Sequence, residues 1–200
     1  MKRAGRLAIG WGVAASLTLA GGAAAQLSGS DAEAFLTAIR EQDGAKAMAI
    51  EARQGTGVVN YRGYNGDTPL TLAMAKRSAA YVGFLLSKGA RPDLPDKRGD
   101  TPLIIAARNG FSEGVDLMIA SRAAIDLANR QGETPLIVAV QGRHAIAVRR
   151  LLEAGANPDK ADFAAGFSAR DYARRDSRNR DLLRMIETIK RRKPVSGPTR

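Results

Sequence analysis

Residues able to do chemistry are few in this chain, and this limits the sites that it can build. The 200-residue sequence has no cysteine and a single histidine, His144. The lack of cysteine excludes disulfides, a thiol nucleophile and zinc sites built on thiolates. The sequence also has no glycine-rich phosphate loop, nucleophile elbow or paired-carboxylate motif. The composition therefore favours a protein that is not an enzyme and that uses no cofactor.

Two features keep a chemical role open at the level of single residues. Asp93, Asp96 and Asp100 form the densest acidic cluster, and a hard cation can use such oxygens. Because the first two fall in a loop and Asp100 precedes a helix, we expect a solvated acidic face rather than a metal site. His144 lies at the predicted start of a helix, where we expect it to have a structural role.

A single repeat period organises most of the chain. Three segments of the form Gly-Asp/Glu-Thr-Pro-Leu follow one another at a constant spacing, and they begin at Gly66, Gly99 and Gly132. A small residue returns in the same register, at Ala73, Ala106 and Ala139. Pairs of aliphatic residues do so too, at 85–86, 118–119 and 151–152. Three patterns that agree over three periods indicate an array of repeats.

Each period predicts two short helices. A threonine at 68, 101 and 134 can accept a hydrogen bond from an unpaired amide at a helix start, and the proline after it suits the first helical position. The second helix carries apolar residues three and four positions apart, which form one buried stripe. These residues are Val82, Leu85 and Leu86, then Val115, Met118 and Ile119, then Val148, Leu151 and Leu152. We predict helix pairs at 69–76/79–87, 102–108/112–121, 135–141/145–153 and 168–175/178–190.

These residues resemble the ankyrin repeat, which has a period of about 33 residues and a Thr-Pro-Leu motif. The resemblance implies an all-α repeat solenoid, in which ankyrin-type helix-turn-helix pairs are joined by extended hairpin-like loops. Within a repeat domain over 26–190, full repeats are predicted at about 63–95, 96–128 and 129–161. Capping units are predicted at 31–62 and 162–190, because terminal repeats must turn one face to water.

One residue departs from the repeat pattern. Arg122 occupies the place that Gly89 and Gly155 take in the neighbouring repeats. Glycine suits the left-handed residue that closes a helix. We therefore expect Arg122 to be strained if the backbone there keeps a left-handed turn.

The resemblance also implies a non-catalytic module that binds another protein through its concave face and loop tips. Carried over by position, the partner-binding residues are Tyr64, Asn65, Asp67, Lys76, Lys97, Arg98, Asp100, Arg108, Asn109, Arg130, Gln131, Glu133 and Gln141. The centre of this surface is basic, and arginine pairs well with partner carboxylates. Arg98 and Arg130 are expected to occupy equivalent positions and to point into one groove. We expect a monomer, with no metal and no specific nucleic acid.

The beginning of the chain differs from the repeats in composition. Lys2, Arg3 and Arg6 precede an apolar run over 7–20 and small residues over 21–25. A basic head, an apolar stretch and a small-residue cleavage site are typical of a secretory signal peptide, which we predict over 1–25. We therefore expect an exported protein of bacterial type, either periplasmic or secreted.

The other end of the chain is strongly basic. The formal net charge of the chain is +11, and residues 170–200 hold eleven basic residues against four acidic ones. Its most basic run is Lys190, Arg191, Arg192 and Lys193, which leads into a predicted disordered tail at 191–200. This end supports an alternative function, weak contact with an anionic surface by a polyanion-binding or membrane-surface tethering protein. A secreted effector is a further alternative.

Overall fold

The computed structural model describes residues 29–189, and within that range it contains ten α-helices and no β-strand. The helices are α1 Gly29–Glu41, α2 Gly44–Gln54, α3 Pro69–Ala75, α4 Ala79–Ser87, α5 Pro102–Arg108, α6 Ser112–Ala120, α7 Pro135–Gln141, α8 Ala145–Glu153, α9 Ala169–Arg175 and α10 Arg180–Thr188. Short 3-10 helices cover Gly55–Asn60 and Ser177–Asn179. The predicted signal peptide and basic tail lie outside the described residues.

Side chains that cap the first helix of each repeat explain where these helices begin. The hydroxyl oxygen of Thr101 accepts a hydrogen bond from the amide of Ile104, and that of Thr134 accepts one from Ile137, both at 3.2 Å. Thr68 and Ser168 cap α3 and α9 in the same way. The predicted helix pairs are confirmed to within two residues at each end. The last helix begins at Arg180 rather than at 178, because a 3-10 turn precedes it.

The helices pack in two layers, as a repeat array requires. The first helices of the units lie side by side in the order α1, α3, α5, α7 and α9. The second helices α4, α6, α8 and α10 form the other layer. Ala73, Ala106 and Ala139 are no more than 1% exposed, so small side chains lie where neighbouring helices approach closely. This arrangement confirms the predicted all-α repeat solenoid. No helix within residues 29–189 has the length and apolar character needed to cross a bilayer.

The predicted apolar stripe of the second helices is buried, except at one of its positions. Val82 and Leu85 of α4 are fully buried, as are their counterparts in α6 and α8. Leu86 and Ile119 are only half-buried, contrary to the expectation from the sequence. Successive residues of a helix are about 100° apart, so these residues lie at the edge of the stripe. Leu152 holds the same position but is 3% exposed, because it lies beside Ile186 of the capping unit.

Side chains at a second set of repeated positions join adjacent units. The backbone amides of Arg91, Ala124 and Asn157 donate hydrogen bonds to Asn60, Asp93 and Asp126, respectively. Each bond spans 31 residues, with donor–acceptor distances of 2.7 to 2.9 Å. The acceptors themselves recur with the period of the repeat, a signal that the sequence analysis missed. These bonds fix the position of each connecting loop against the next repeat.

Candidate functional site

Each repeat presents a tight turn just before its first helix. The amides of Gly66, Gly99 and Gly132 donate to the carbonyl oxygens three residues earlier, at 2.8 to 3.1 Å. The φ angles of these glycines lie between 79° and 81°, which suits the residue after a type I turn. The two central residues of each turn project as a tip, at positions 64–65, 97–98 and 130–131.

Neighbouring tips touch and form a continuous row. The amide of Phe163 donates to the carbonyl oxygen of Gln131 at 2.8 Å, and that of Arg130 to Arg98 at 3.3 Å. A Cβ atom added to Gly132 would lie 2.7 Å from Cγ of Phe163. The glycines are thus needed for close approach as well as for their φ angles. We refer to Tyr64, Lys97, Arg130 and Phe163, which follow one another at intervals of one repeat period, as the tip row.

Phe163 is a candidate site residue that the sequence analysis missed. The closing unit has one extra residue before its helix and lacks the Thr-Pro pair, which hides its register. Counting one repeat period on from Arg130 would have found Phe163. The same count corrects the expected pairing of Arg98 with Arg130, because the counterpart of Arg130 is Lys97 and that of Arg98 is Gln131.

The tip row has exposed aromatic side chains at its ends and exposed cations in its middle. Tyr64 is 87% exposed and Phe163 is 79% exposed. Lys97 and Arg130 are also exposed, and neither has an ion-pair partner among residues 29–189. Asn65, Arg98 and Gln131, beside them in the turns, are exposed as well. The sequence-predicted tip residues therefore share one surface.

Asp100 does not belong to this exposed surface, which corrects the sequence prediction. It is 1% exposed, and its carboxylate accepts hydrogen bonds from Arg108 at 2.5 and 3.0 Å and from Asn129 at 2.7 Å. Burial alone would raise the pKa of Asp100. The hydrogen bonds from Arg108 and Asn129, with the charges of Arg108 and Arg98, outweigh burial and hold that pKa below its ordinary value. A partner cannot reach this carboxylate without breaking the network.

Arg108 and Glu133 are also held within this network. Nη2 of Arg108 lies 3.2 Å from Oε2 of Glu133, and Nδ2 of Asn129 lies 2.8 Å from the same oxygen. Arg98 approaches the cluster from the tip, with Nε 3.5 Å from Oδ2 of Asp100. Two guanidinium groups therefore balance two carboxylates, so the network adds no net charge to the surface. Asp67 is likewise paired, with Arg40 at 3.3 Å.

The remaining predicted residues lie at the ends of the first helices. Lys76 and Asn109 follow the last residues of α3 and α5, and Gln141 ends α7. All three side chains are exposed. Lys76 has no ion-pair partner within the described residues. Since the acidic residues predicted for the candidate site are paired, the charge that it leaves accessible is positive, at Lys76, Lys97 and Arg130.

His144 has contacts that fit a structural role. Its Nε2 atom lies 3.0 Å from the carbonyl oxygen of Arg108, to which it donates. The ring fills the space beside two glycines, because a Cβ atom at Gly110 would lie 2.4 Å from Nδ1 and one at Gly142 would lie 2.6 Å from Cδ2. The ring thus links the turn after α5 to the start of α8.

The acidic cluster of the loop also has structural partners. Oδ1 of Asp96 accepts hydrogen bonds from the amides of Arg98 and Asp100. Asp93 accepts the amide of Ala124 in the next repeat. In the part of the chain that the structure describes, no group of three or more His, Asp or Glu side chains has the arrangement of a metal site.

Comparison with known proteins identifies the repeat. A family model for ankyrin repeats in three copies matches residues 17–126 and 81–162, which together make up more than half of the chain. No curated protein sequence matches the chain.

Proposed function

Because the chain belongs to the ankyrin-repeat family, whose members are generally protein–protein interaction modules, we propose that it binds another protein through the tip row and the adjoining ends of the first helices. The observation that carries this proposal is the accessible charge of that surface. Lys76, Lys97 and Arg130 are exposed and unpaired within the described residues, whereas the nearby carboxylates already have partners.

The backbone of this surface is held in place before any partner binds. Hydrogen bonds between the tips hold the turns, and the carboxylates of Asp93 and Asp126 accept bonds from backbone amides of the next repeat. A rigid backbone lowers the entropy lost on association, which is a large cost of binding. An unpaired cation also forms an ion pair with a partner without first breaking one.

We also propose that the protein acts after export, in the periplasm or outside the cell. The support for this location is the basic, apolar and small-residue pattern over 1–25. An effector that is secreted to another cell would use the same binding surface on a different target.

Tethering through the basic end is the alternative function. Within the described part of that end, most cations have partners. Arg178 pairs with Asp176, Arg184 with Asp181, and Arg175 lies over the ring of Phe167 at 4.4 Å. Tethering would therefore depend mainly on Lys190, Arg191, Arg192 and Lys193.

Crosslinking in the native compartment, followed by mass spectrometry of the captured protein, separates these functions. A concave variant carries Lys97→Glu and Arg130→Glu on the tips together with Lys76→Ala and Asn109→Ala. We expect it to lose capture, since these side chains meet the partner. It should keep its helicity and melting temperature, because exposed substitutions change stability by about 0.5 kcal/mol or less.

The matched control carries Lys46→Glu and Arg149→Glu on the second helices, where both side chains are exposed. It should capture the partner normally, as should a chain that lacks residues 190–200. Capture that survives in the concave variant and disappears on deletion of 190–200 would replace the proposed function with tethering.

A further inference from the structure

The tip row combines two kinds of side chain, and this combination restricts the chemistry of its partner. We propose that the tip row recognises an extended acidic segment of a protein that carries an apolar side chain on each side of its acidic centre. This inference rests on the proposed function and specifies which part of a partner the tips contact.

The middle of the row fits carboxylates. Lys97 and Arg130 are adjacent members of the row, and their tips are directly hydrogen-bonded. The turn of Lys97 also holds Asp96 and Arg98, and Oδ1 of Asp96 is used by the backbone amides of Arg98 and Asp100. The carboxylates that follow the two turns are Asp100 and Glu133. Both of these carboxylates are occupied by Arg108. Two neighbouring cations without ion-pair partners in the described chain therefore face solvent, and charge complementarity favours an acidic ligand.

The ends of the row fit apolar side chains. Tyr64 and Phe163 are among the most exposed large apolar side chains of the described residues. Each is presented on an anchored backbone. The amide of Tyr64 donates to Oε1 of Glu33 at 3.0 Å. The turn of Phe163 is held by Asp162, which accepts the amides of Ala165 and Gly166 at 2.8 and 3.0 Å. An exposed ring on a fixed backbone binds with little entropic cost, and aromatic residues are frequent binding hot spots.

A further bond strengthens the anchor of the last turn. The hydroxyl of Tyr172 donates to Oδ2 of Asp162 at 2.6 Å. The Asp162 residue is only 5% exposed, and both oxygens of its carboxylate accept hydrogen bonds from the protein. This bonding holds the turn that carries Phe163 in the same register as the three preceding turns.

The arrangement favours a polypeptide over other anionic ligands. Single-stranded nucleic acid binds by stacking successive bases on aromatic rings along a basic groove, whereas here two cations separate the two rings. A membrane-inserting patch needs contiguous apolar side chains, whereas here the apolar side chains lie at opposite ends. An extended peptide presents different side chains along its length, as the row requires.

Selection from a random peptide library displayed on phage tests the inference on the full chain. We expect the enriched peptides to share a run of Asp and Glu that is bracketed by Leu, Ile, Phe or other apolar residues. Enrichment of peptides that lack acidic residues, or of acidic peptides without apolar flanks, would overturn it.

Two variants then test each half of the row with the best selected peptide. Lys97→Glu with Arg130→Glu should weaken binding by about tenfold or more, as should Tyr64→Ala with Phe163→Ala. The Lys46→Glu and Arg149→Glu control should bind normally. Raising the salt from about 0.1 M to about 0.5 M should weaken binding to the wild type, because it screens the attraction. In the charge-reversed variant it should not weaken the remaining binding, because there it screens a repulsion. Equal affinities for all variants would overturn the inference.

Two further probes separate other sources of negative charge. An oligothymidylate and vesicles that contain phosphatidylglycerol should bind more weakly than the peptide, and a tip-dependent preference for either would overturn the inference. The native crosslinking experiment separates it from the proposed function. If the concave variant loses its partner while the tip-only Lys97→Glu and Arg130→Glu variant keeps it, protein binding stands and the acidic-segment inference fails.

Discussion

Left-handed backbone angles at residues with bulky side chains are the clearest strain in this protein. Among residues 29–189, four residues other than glycine have positive φ: Gln42, Arg77, Arg122 and Arg143. Arg77 and Arg143 occupy the turn between helices at which the middle repeat has Gly110. The strain at Arg122 could be predicted from the sequence, because the repeat period aligns it with Gly89 and Gly155.

Replacing Arg122 by glycine should stabilise the protein. A residue other than glycine in the left-handed conformation costs about 1–2 kcal/mol, which glycine would recover. Glycine also makes the unfolded chain more flexible, and this offsets about 0.4–1 kcal/mol of the stabilisation. The φ of Arg122 is 58°, and that of its counterpart Gly89 is 82°. We therefore expect Arg122→Gly to raise the free energy of unfolding by roughly 0.5–1 kcal/mol and the melting temperature by about 1–4 °C. Calorimetry measures this shift.

Arg122→Ala is the matched control for this prediction. It removes the charge and the long side chain but keeps the Cβ atom that makes the left-handed angle unfavourable. It should gain nothing. If the two variants melt at the same temperature, the strain does not come from the backbone at this position.

At the scale of the helices, features set by local sequence could be predicted, whereas features set by contacts between repeats could not. The starts of α3, α5 and α7 follow from Thr-Pro pairs, which are local in sequence. The burial of Asp100 does not follow from local sequence, because its partner Asn129 lies 29 residues away in the next repeat. The sequence alone indicated a solvated position before a helix. Pairing across the repeat interface turned three predicted site residues, Asp100, Arg108 and Glu133, into one internal network.

The network should make stability depend on pH. The folded protein holds the pKa of Asp100 below its ordinary value, so its ionised form is favoured by folding. This contribution is complete above the unfolded-state pKa of about 3.9 and is lost as the pH falls towards the lower folded-state pKa. Asp100→Asn should cost about 1–3 kcal/mol at pH 7, because Arg108 loses its charged partner. Urea unfolding of both proteins between about pH 7 and pH 3 measures the difference, which should shrink below about pH 4.

An exposed carboxylate gives the comparison for this pH dependence. Asp181 pairs with Arg184 at the surface, with a side chain that is 92% exposed. Asp181→Asn should change stability little at any pH. A constant gap between wild type and Asp100→Asn from pH 7 to pH 3 would mean that the Asp100 network does not favour the ionised carboxylate.

The whole molecule depends on its last unit to close the solenoid. Leu182 and Ile186 of α10 are 4% and 3% exposed, and α10 packs against α8 and α9. In a repeat array each unit is stabilised by its neighbours, so a damaged cap weakens the units next to it. The sequence predicted this capping unit, but the extra residue in its turn hid the register, so Phe163 was not assigned to the tip row.

Truncating a buried side chain of the cap should destabilise the molecule. Ile186→Ala leaves a cavity beside Leu152 and should cost about 2–4 kcal/mol. Glu187→Ala changes the next residue, which is exposed, and should cost about 0.5 kcal/mol or less. Chemical denaturation monitored by circular dichroism measures both. Equal midpoints for the two variants would show that α10 does not close the solenoid.

The hydrogen bonds that Asn60, Asp93 and Asp126 accept have a consequence for how such a protein evolves. Each bond spans 31 residues and joins only adjacent units. An in-frame duplication of residues 96–128 would copy the helix caps and supply the same bonds at the new junction. It would also insert a second Lys-Arg tip into the row, whereas an insertion of any other length would break the register. Gene duplication can therefore lengthen the tip row, and with it the ligand segment that the row can bind. It does so without requiring a new type of contact inside the solenoid.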